Sequence, residues 1–255
     1  MPIEHVPLLK TQRELHDMPR GMERFEAYLK TMLNDTRDDV RYLPLLVMNP
    51  MGREHVAERL DELIALDADA LAAESIREAL AELGDLPDTF QHGWVVMDDI
   101  RGGWTNRTVN DAKFRFDWEL PLKRPWITSG WWVSETPSRE TLRQKVRASV
   151  GRLAYLHKYG IAKTLREMME QEGAVAAFAG FKPRYDDEER DYNRYVIEPL
   201  LDSADYPTQI AALYGDSAAS SLGYAPLGLS ENAGFDLALA NALAAGEINK
   251  QGWRI

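Results

Sequence analysis

Trp126-Ile127-Thr128-Ser129-Gly130-Trp131-Trp132-Val133 is an aromatic, β-rich run that breaks off at Ser134-Glu135-Thr136. Beyond it, up to Gly180, the apolar spacing changes from period two to period 3.6, so a sheet hands over to the helices that must cover it. Thr136 or Ser138 can cap the first of these helices, with Pro137 tolerated in its first turn. Leu142, Val146, Val150 and Leu153 then give one apolar stripe, and Gly160 closes it. Ile161, Leu165, Met168 and Met169 carry a second arm that Gly173 is expected to stop. The small apolar run Ala174 to Phe181 fits either a tightly packed helix end or a short strand.

Working back from this stretch, three more segments read as strands. Tyr42 to Met48 is short and apolar, with Pro44 arguing for an edge or a late start. Gly93-Trp94-Val95-Val96-Met97 is a buried strand by composition, and Lys113 to Trp118 alternates charge with aromatic. Helical spacing appears over 19–34, at Val56, Leu60, Leu63 and Ile64, and from Ala70 to Leu83, while the opening through Met18 reads as irregular. The expected fold is α/β or α+β. It has a small mixed sheet of about four strands in residues 42–133, covered by helices, with a helix-rich C-terminal half. No helix-length segment is evident between the last three strands, so they are expected to form an antiparallel meander. Residues 1–181 read as the core domain. The polar run from Lys182 to Arg190 leads into a helical extension, 182–255, packed on the same core.

Composition narrows the function. The 255 residues are 45% hydrophobic and 28% charged, which suits a globular chain with a real core. A formal net charge of −11 repels phosphate backbones and anionic lipids, so neither nucleic acid nor membrane is an expected partner. With no cysteine, disulfides, thiolate zinc sites and cysteine nucleophiles all drop out. No run approaches a bilayer span and Met1-Pro2-Ile3-Glu4-His5 does not open a signal peptide, so a cytoplasmic protein is expected.

Ligands gather at the carboxyl ends of parallel strands in sheets with helical crossovers. If the segments ending at Met48, Met97 and Val133 point one way, the loops leaving their carboxyl ends meet. That set holds His55, Asp98, Asp99 and Glu135 as acid–base groups. Arg101, Trp104, Asn106, Arg107 and Trp131 stand beside them as substrate contacts. Such residues could run general acid–base chemistry or hold a divalent metal. Gly102-Gly103 would let backbone approach a ligand, although it matches no phosphate-binding fingerprint. Turns need polar residues whatever the function, so the same set is also what plain strand ends look like.

Two further signals have bland counterparts. His55, Glu58 and Glu62 share a helical face as metal ligands could, and so do charges on any wet face. His157 falls on the Leu142–Leu153 stripe, where a histidine is usually a satisfied core residue. Trp94, Trp104, Trp118, Trp126, Trp131 and Trp132 crowd the strand region, with Trp253 the one outlier. They would suit an aromatic-walled pocket or a cross-packed sheet. Three classes therefore stay open. The leading one is an enzyme acting on a small polar or anionic substrate. The others are a small-ligand-binding module with a tryptophan-lined pocket, and an interaction protein whose helical hairpin meets a partner or a second copy of the chain.

Overall fold

Three short segments, all before residue 133, reach one sheet, and all three lie parallel. A computed structural model of the chain describes residues 2–84, 86–100 and 105–246. In it β1 is Ile3–His5, β2 is Phe90–Met97 and β3 is Trp126–Trp132, in the order β1-β2-β3. Between β1 and β2 come α1 (Leu9–Asp17), α2 (Met22–Met32), α3 (Glu54–Ala65) and α4 (Ala68–Leu83); α5 (Arg107–Phe116) and α6 (Glu119–Lys123) join β2 to β3. The protein is a mixed α/β chain with a small sheet and a helix-rich C-terminal half.

The sheet has three strands rather than four, and it is parallel rather than mixed. The run through Pro44 forms a 3-10 turn over Leu43–Val47, because a proline inside it has no N–H for a ladder. Leu43, Leu45 and Met48 instead pack beneath the sheet against Val95, Met97, Trp126 and Trp132. Of the charged–aromatic alternation Lys113 to Trp118, the first four residues belong to helix α5, which Asn106 caps by accepting from Val109 N at 3.1 Å, and Asp117 and Trp118 link it to α6. Six alternating residues make less than two helical turns, too few to separate the two periods. With α5 and α6 as the crossover, the antiparallel meander is replaced by parallel pairing. The opening segment, read as irregular, supplies β1 and α1; a three-residue strand is too short to show a period.

Register decides which side chains share a face. Cα partners His5↔His92, Trp94↔Ser129 and Val96↔Trp131 put these residues on one side of the sheet, and Val95, Met97, Trp126 and Trp132 on the other. Adjacent Trp131 and Trp132 thus point opposite ways, as the strand period requires. The first face meets α4, where Ala68 O accepts from Trp94 Nε1 at 3.2 Å, and α7 (Arg139–Tyr159), through Ser149. The second meets α1, α2 and the 3-10 turn. Trp94, Trp118, Trp126, Trp131 and Trp132 are all buried, so these tryptophans are core.

The chain divides into two compact units. One runs to Ala81 and from residue 86 to Ser149; the other takes Glu82–Gly84 and the chain from Val150, so the division falls inside α7. The second unit is helical: α8 (Leu165–Ala179), α9 (Asp187–Ile197), α10 (Tyr206–Tyr214), α11 (Asp216–Ser221) and α12 (Ala233–Ala244). Helix α8 opens on a capping box, Thr164 accepting from Glu167 N while Glu167 accepts from Thr164 N. It does not stop at Gly173. Ala174–Ala179 continues it, which settles that run as helix. Gly173 marks a close approach instead, since a Cβ there would lie 2.4 Å from Ala238 O in α12.

That contact is with backbone, which has no rotamer to swing aside. Gly173→Ala should therefore force α8 and α12 apart at a cost of about 1–3 kcal/mol. The gain in helix propensity, about 1 kcal/mol, offsets only part of this. A lower midpoint in urea is the expected result. An unchanged or raised midpoint would mean the two helices are not held at this distance.

Candidate functional site

Because β2 and β3 are parallel neighbours, Asp98-Asp99 and Ser134-Glu135 leave the sheet side by side, with Val133 N donating to Met97 O at 2.9 Å. Asp99 accepts from Ser134 N (3.1 Å), Ser134 Oγ (2.6 Å) and Arg107 Nη1 (2.9 Å). Arg107 also donates to Ser134 Oγ (2.8 Å) and, through Nη2, to Glu135 Oε1 (2.8 Å). The second Glu135 oxygen accepts from Lys145 Nζ at 2.5 Å, and that ammonium lies 4.6 Å from the centre of the Trp131 ring. Two carboxylates and two cations close on one another, so Arg107 is held across the strand ends and not poised for an incoming anion.

Asp98 sits one residue earlier and deeper, at 2% exposure just past the end of the central strand β2. Its Oδ1 accepts from Ile100 N at 3.1 Å and lies 3.0 Å from Nε2 of His55, in the first turn of α3. The imidazole is within contact distance but off the line of a good hydrogen bond, and Nε2 has no aligned partner. An imidazole touching a buried carboxylate is an arrangement that can exchange a proton with a third group once it is drawn into line.

The other residues expected at the strand ends have different fates. Asn106 is the cap of α5. Trp131 is buried between Trp94 and Lys145. Arg101, Gly102, Gly103, Trp104 and Trp253 lie outside the described residues. His55 and Glu62 do not converge, since Glu62 pairs with Arg59 while His55 turns to Asp98. Among the described residues no group of three or more His, Cys, Asp or Glu is placed to hold a metal ion. His157 is half-buried on α7.

Sequence reasoning missed a second cluster. On the first face of the sheet, Asp69 Oδ1 lies 2.8 Å from His5 Nε2, and His5 Nδ1 lies 2.8 Å from His92 Nδ1. His92 Nε2 is 2.8 Å from Ser129 Oγ, and Ser129 Oγ is 2.9 Å from Ser149 Oγ, which reaches Lys145 O at 3.1 Å. The chain joins α4, three strands and α7. Burial holds the His92 imidazole well below its ordinary pKa, and the charge of His5 adds to this, so His92 is neutral near pH 7. A serine bonded to an imidazole resembles a nucleophile with its base. Ser129 is only 3% exposed and bonds Ser149, however, so these five side chains act as polar cross-ties within the core. No local pattern announces them, because they come from five separate segments.

No family model matches the sequence, and no curated protein or solved structure matches it.

Proposed function

We propose that the protein is an enzyme acting on a small polar or anionic substrate by general acid–base chemistry, with His55 and Asp98 as the reacting pair. The observation that carries this reading is the 3.0 Å approach of His55 Nε2 to buried Asp98 at the carboxyl end of the central parallel strand. Asp99, Ser134, Arg107, Glu135 and Lys145 fix the neighbouring strand ends around it. In this reading Asp98 orients the imidazole and balances the charge it gains, while His55 takes and returns the proton. The buried tryptophans favour it over a tryptophan-lined binding module, which needs those rings at a surface.

Turnover of a panel of small esters, amides, phosphate esters and hydroxy or keto acids provides the test. On any substrate accepted, His55→Gln and Asp98→Asn should each lower kcat by about 10²- to 10⁴-fold. Arg107→Gln, which loosens the strand ends without touching the pair, should cost much less. Wild-type kcat in both the His55 and Asp98 variants would remove the assignment.

A further inference from the structure

A separate cleft of about 360 Å³ opens between α1, the segment leading into α2 and the first turns of α3. Four arginines line it, and they differ in what they already bind. Arg13 is taken up by Asp61 (2.8 Å) and Asp17 (2.5 Å). Arg24 is 6% exposed and donates only to neutral acceptors: the carbonyls of Met18 (2.7 Å), His16 (3.2 Å), Gly52 (3.1 Å) and Pro50 (3.4 Å), and His16 Nδ1 (3.4 Å). No carboxylate among the described residues makes an ion pair with it. Buried charges are ordinarily paired, whereas the acid whose charge acts on this guanidinium, Glu54, makes no close contact with it.

His16 gives a second, independent sign. It is 9% exposed and lines the same cleft, and its Nε2 has no hydrogen-bond partner. Because Arg24 can only donate, His16 Nδ1 must accept, which leaves the proton on Nε2 as a buried donor without an acceptor. The ring edge between its two nitrogens is turned to the start of α3, since a Cβ on Gly52 would come within 3.2 Å of Cε1. Burial, then the charge of Arg24, brings the His16 pKa down to about 4, so the ring is neutral near pH 7.

The rim fits a negative guest. Helix α3 starts at Glu54, and its N-cap residue Arg53 supplies no side-chain cap; Val56 N donates to Arg53 O at 3.0 Å and the Glu54 N–H meets its own carboxylate, which leaves the His55 N–H open. The Glu54 carboxylate turns to its own backbone N–H, and its charge is balanced against Arg20 and Arg53. Those two exposed arginines make no hydrogen bond or close ion pair among the described residues. Among the acids of the lining, Glu54 and Glu58 make no close ion pair, against Arg20, Arg24 and Arg53 among the cations.

The geometry points to an oxyanion site here: a small carboxylate or phosphate group accepts from His16 Nε2 and the His55 N–H at the start of α3, offsets Arg24, and is closed over by Arg20 and Arg53. This does not rest on the acid–base reading, because it concerns binding alone and uses neither the His55 imidazole nor Asp98.

The full-length protein should be titrated with inorganic phosphate and, separately, acetate at fixed ionic strength, with chloride as the reference. The His16 side-chain signals and the backbone N–H signals of Glu54, His55 and Val56 are followed by NMR. At least one of the two oxyanions should produce saturable shifts at both places, and the stronger binder identifies the group preferred. The double variant Arg20→Gln, Arg53→Gln breaks no internal bond, so it should keep its fold and weaken binding by about tenfold or more. Two results would overturn the proposal: no saturable shift at His16 with either oxyanion, or undiminished affinity in the folded double variant.

Discussion

Arg152→Leu is expected to destabilise the helical unit by about 3–5 kcal/mol, a large share of what holds a domain of this size folded. Arg152 on α7 grips Glu172 on α8 with two parallel bonds, Nε to Oε1 at 2.6 Å and Nη2 to Oε2 at 2.7 Å. The Glu172 side chain is only 2% exposed. Exposed ion pairs are worth little, but here the carboxylate has already lost its water, and removing the guanidinium strands it. Gln171 Nε2, 3.1 Å from Oε1, is too weak a donor to replace a bidentate cation.

Two features separate this from a simple packing loss. Replacing both partners, Arg152→Leu with Glu172→Leu, should recover most of the stability, because the buried charge goes with its counter-ion. The defect of the single variant should also shrink in acid, since a protonated carboxyl is cheaper to bury. Urea unfolding of the wild type and the variants at two pH values reads both. A double variant as unstable as the single one would show that shape, and not charge, holds this position.

What the sequence disclosed and what it hid divide along one line, local period against distant partner. The run Trp126–Val133 and the hairpin arms around Gly160 rest on spacing within a segment, and they appear in the structure. The strands ending at Met97 and Trp132 do share a direction, but as parallel neighbours joined through α5 and α6 and not through the expected antiparallel strand. Asp98, Asp99, Asn106, Arg107 and Glu135 could be grouped at one sheet edge because strand direction alone brings them there. Pro44 and the six residues from Lys113 to Trp118 misled where a missing N–H outweighed apolar content or a period was too short. The partners of Arg107 were beyond reading, since Glu135 lies 28 residues away. So were the ties from His5 to His92 and from His92 to Ser129, which span 87 and 37 residues. A sequence pattern tells which face a residue takes far better than which atom it will meet.

The histidine cross-tie is one such distant pairing that can be measured, because its stability contribution must change with pH. His92→Leu removes the link between His5 Nδ1 and Ser129 Oγ; Ser129 keeps Ser149, and His5 keeps Asp69. Near pH 7.5 the cost should be about 1–3 kcal/mol, the penalty of leaving a buried nitrogen without its partner. In the wild type, burial and His5 hold the His92 pKa well below that of an unfolded histidine, about 6.5. As pH falls below that value, the unfolded chain takes up a proton that the folded protein refuses. Stability is then lost at about 1.4 kcal/mol per pH unit for this group. His16 adds a loss of the same sign between about pH 6.5 and its own folded value of about 4, and it does so in wild type and variant alike. The variant lacks the His92 part, so its deficit relative to wild type should narrow by about 2 kcal/mol between pH 7.5 and pH 5. Urea midpoints of the two proteins at those two pH values decide the matter. An equal deficit at both would mean that His92 accepts a proton inside the fold, and the chain from Asp69 to Ser149 would then carry a charge at its centre.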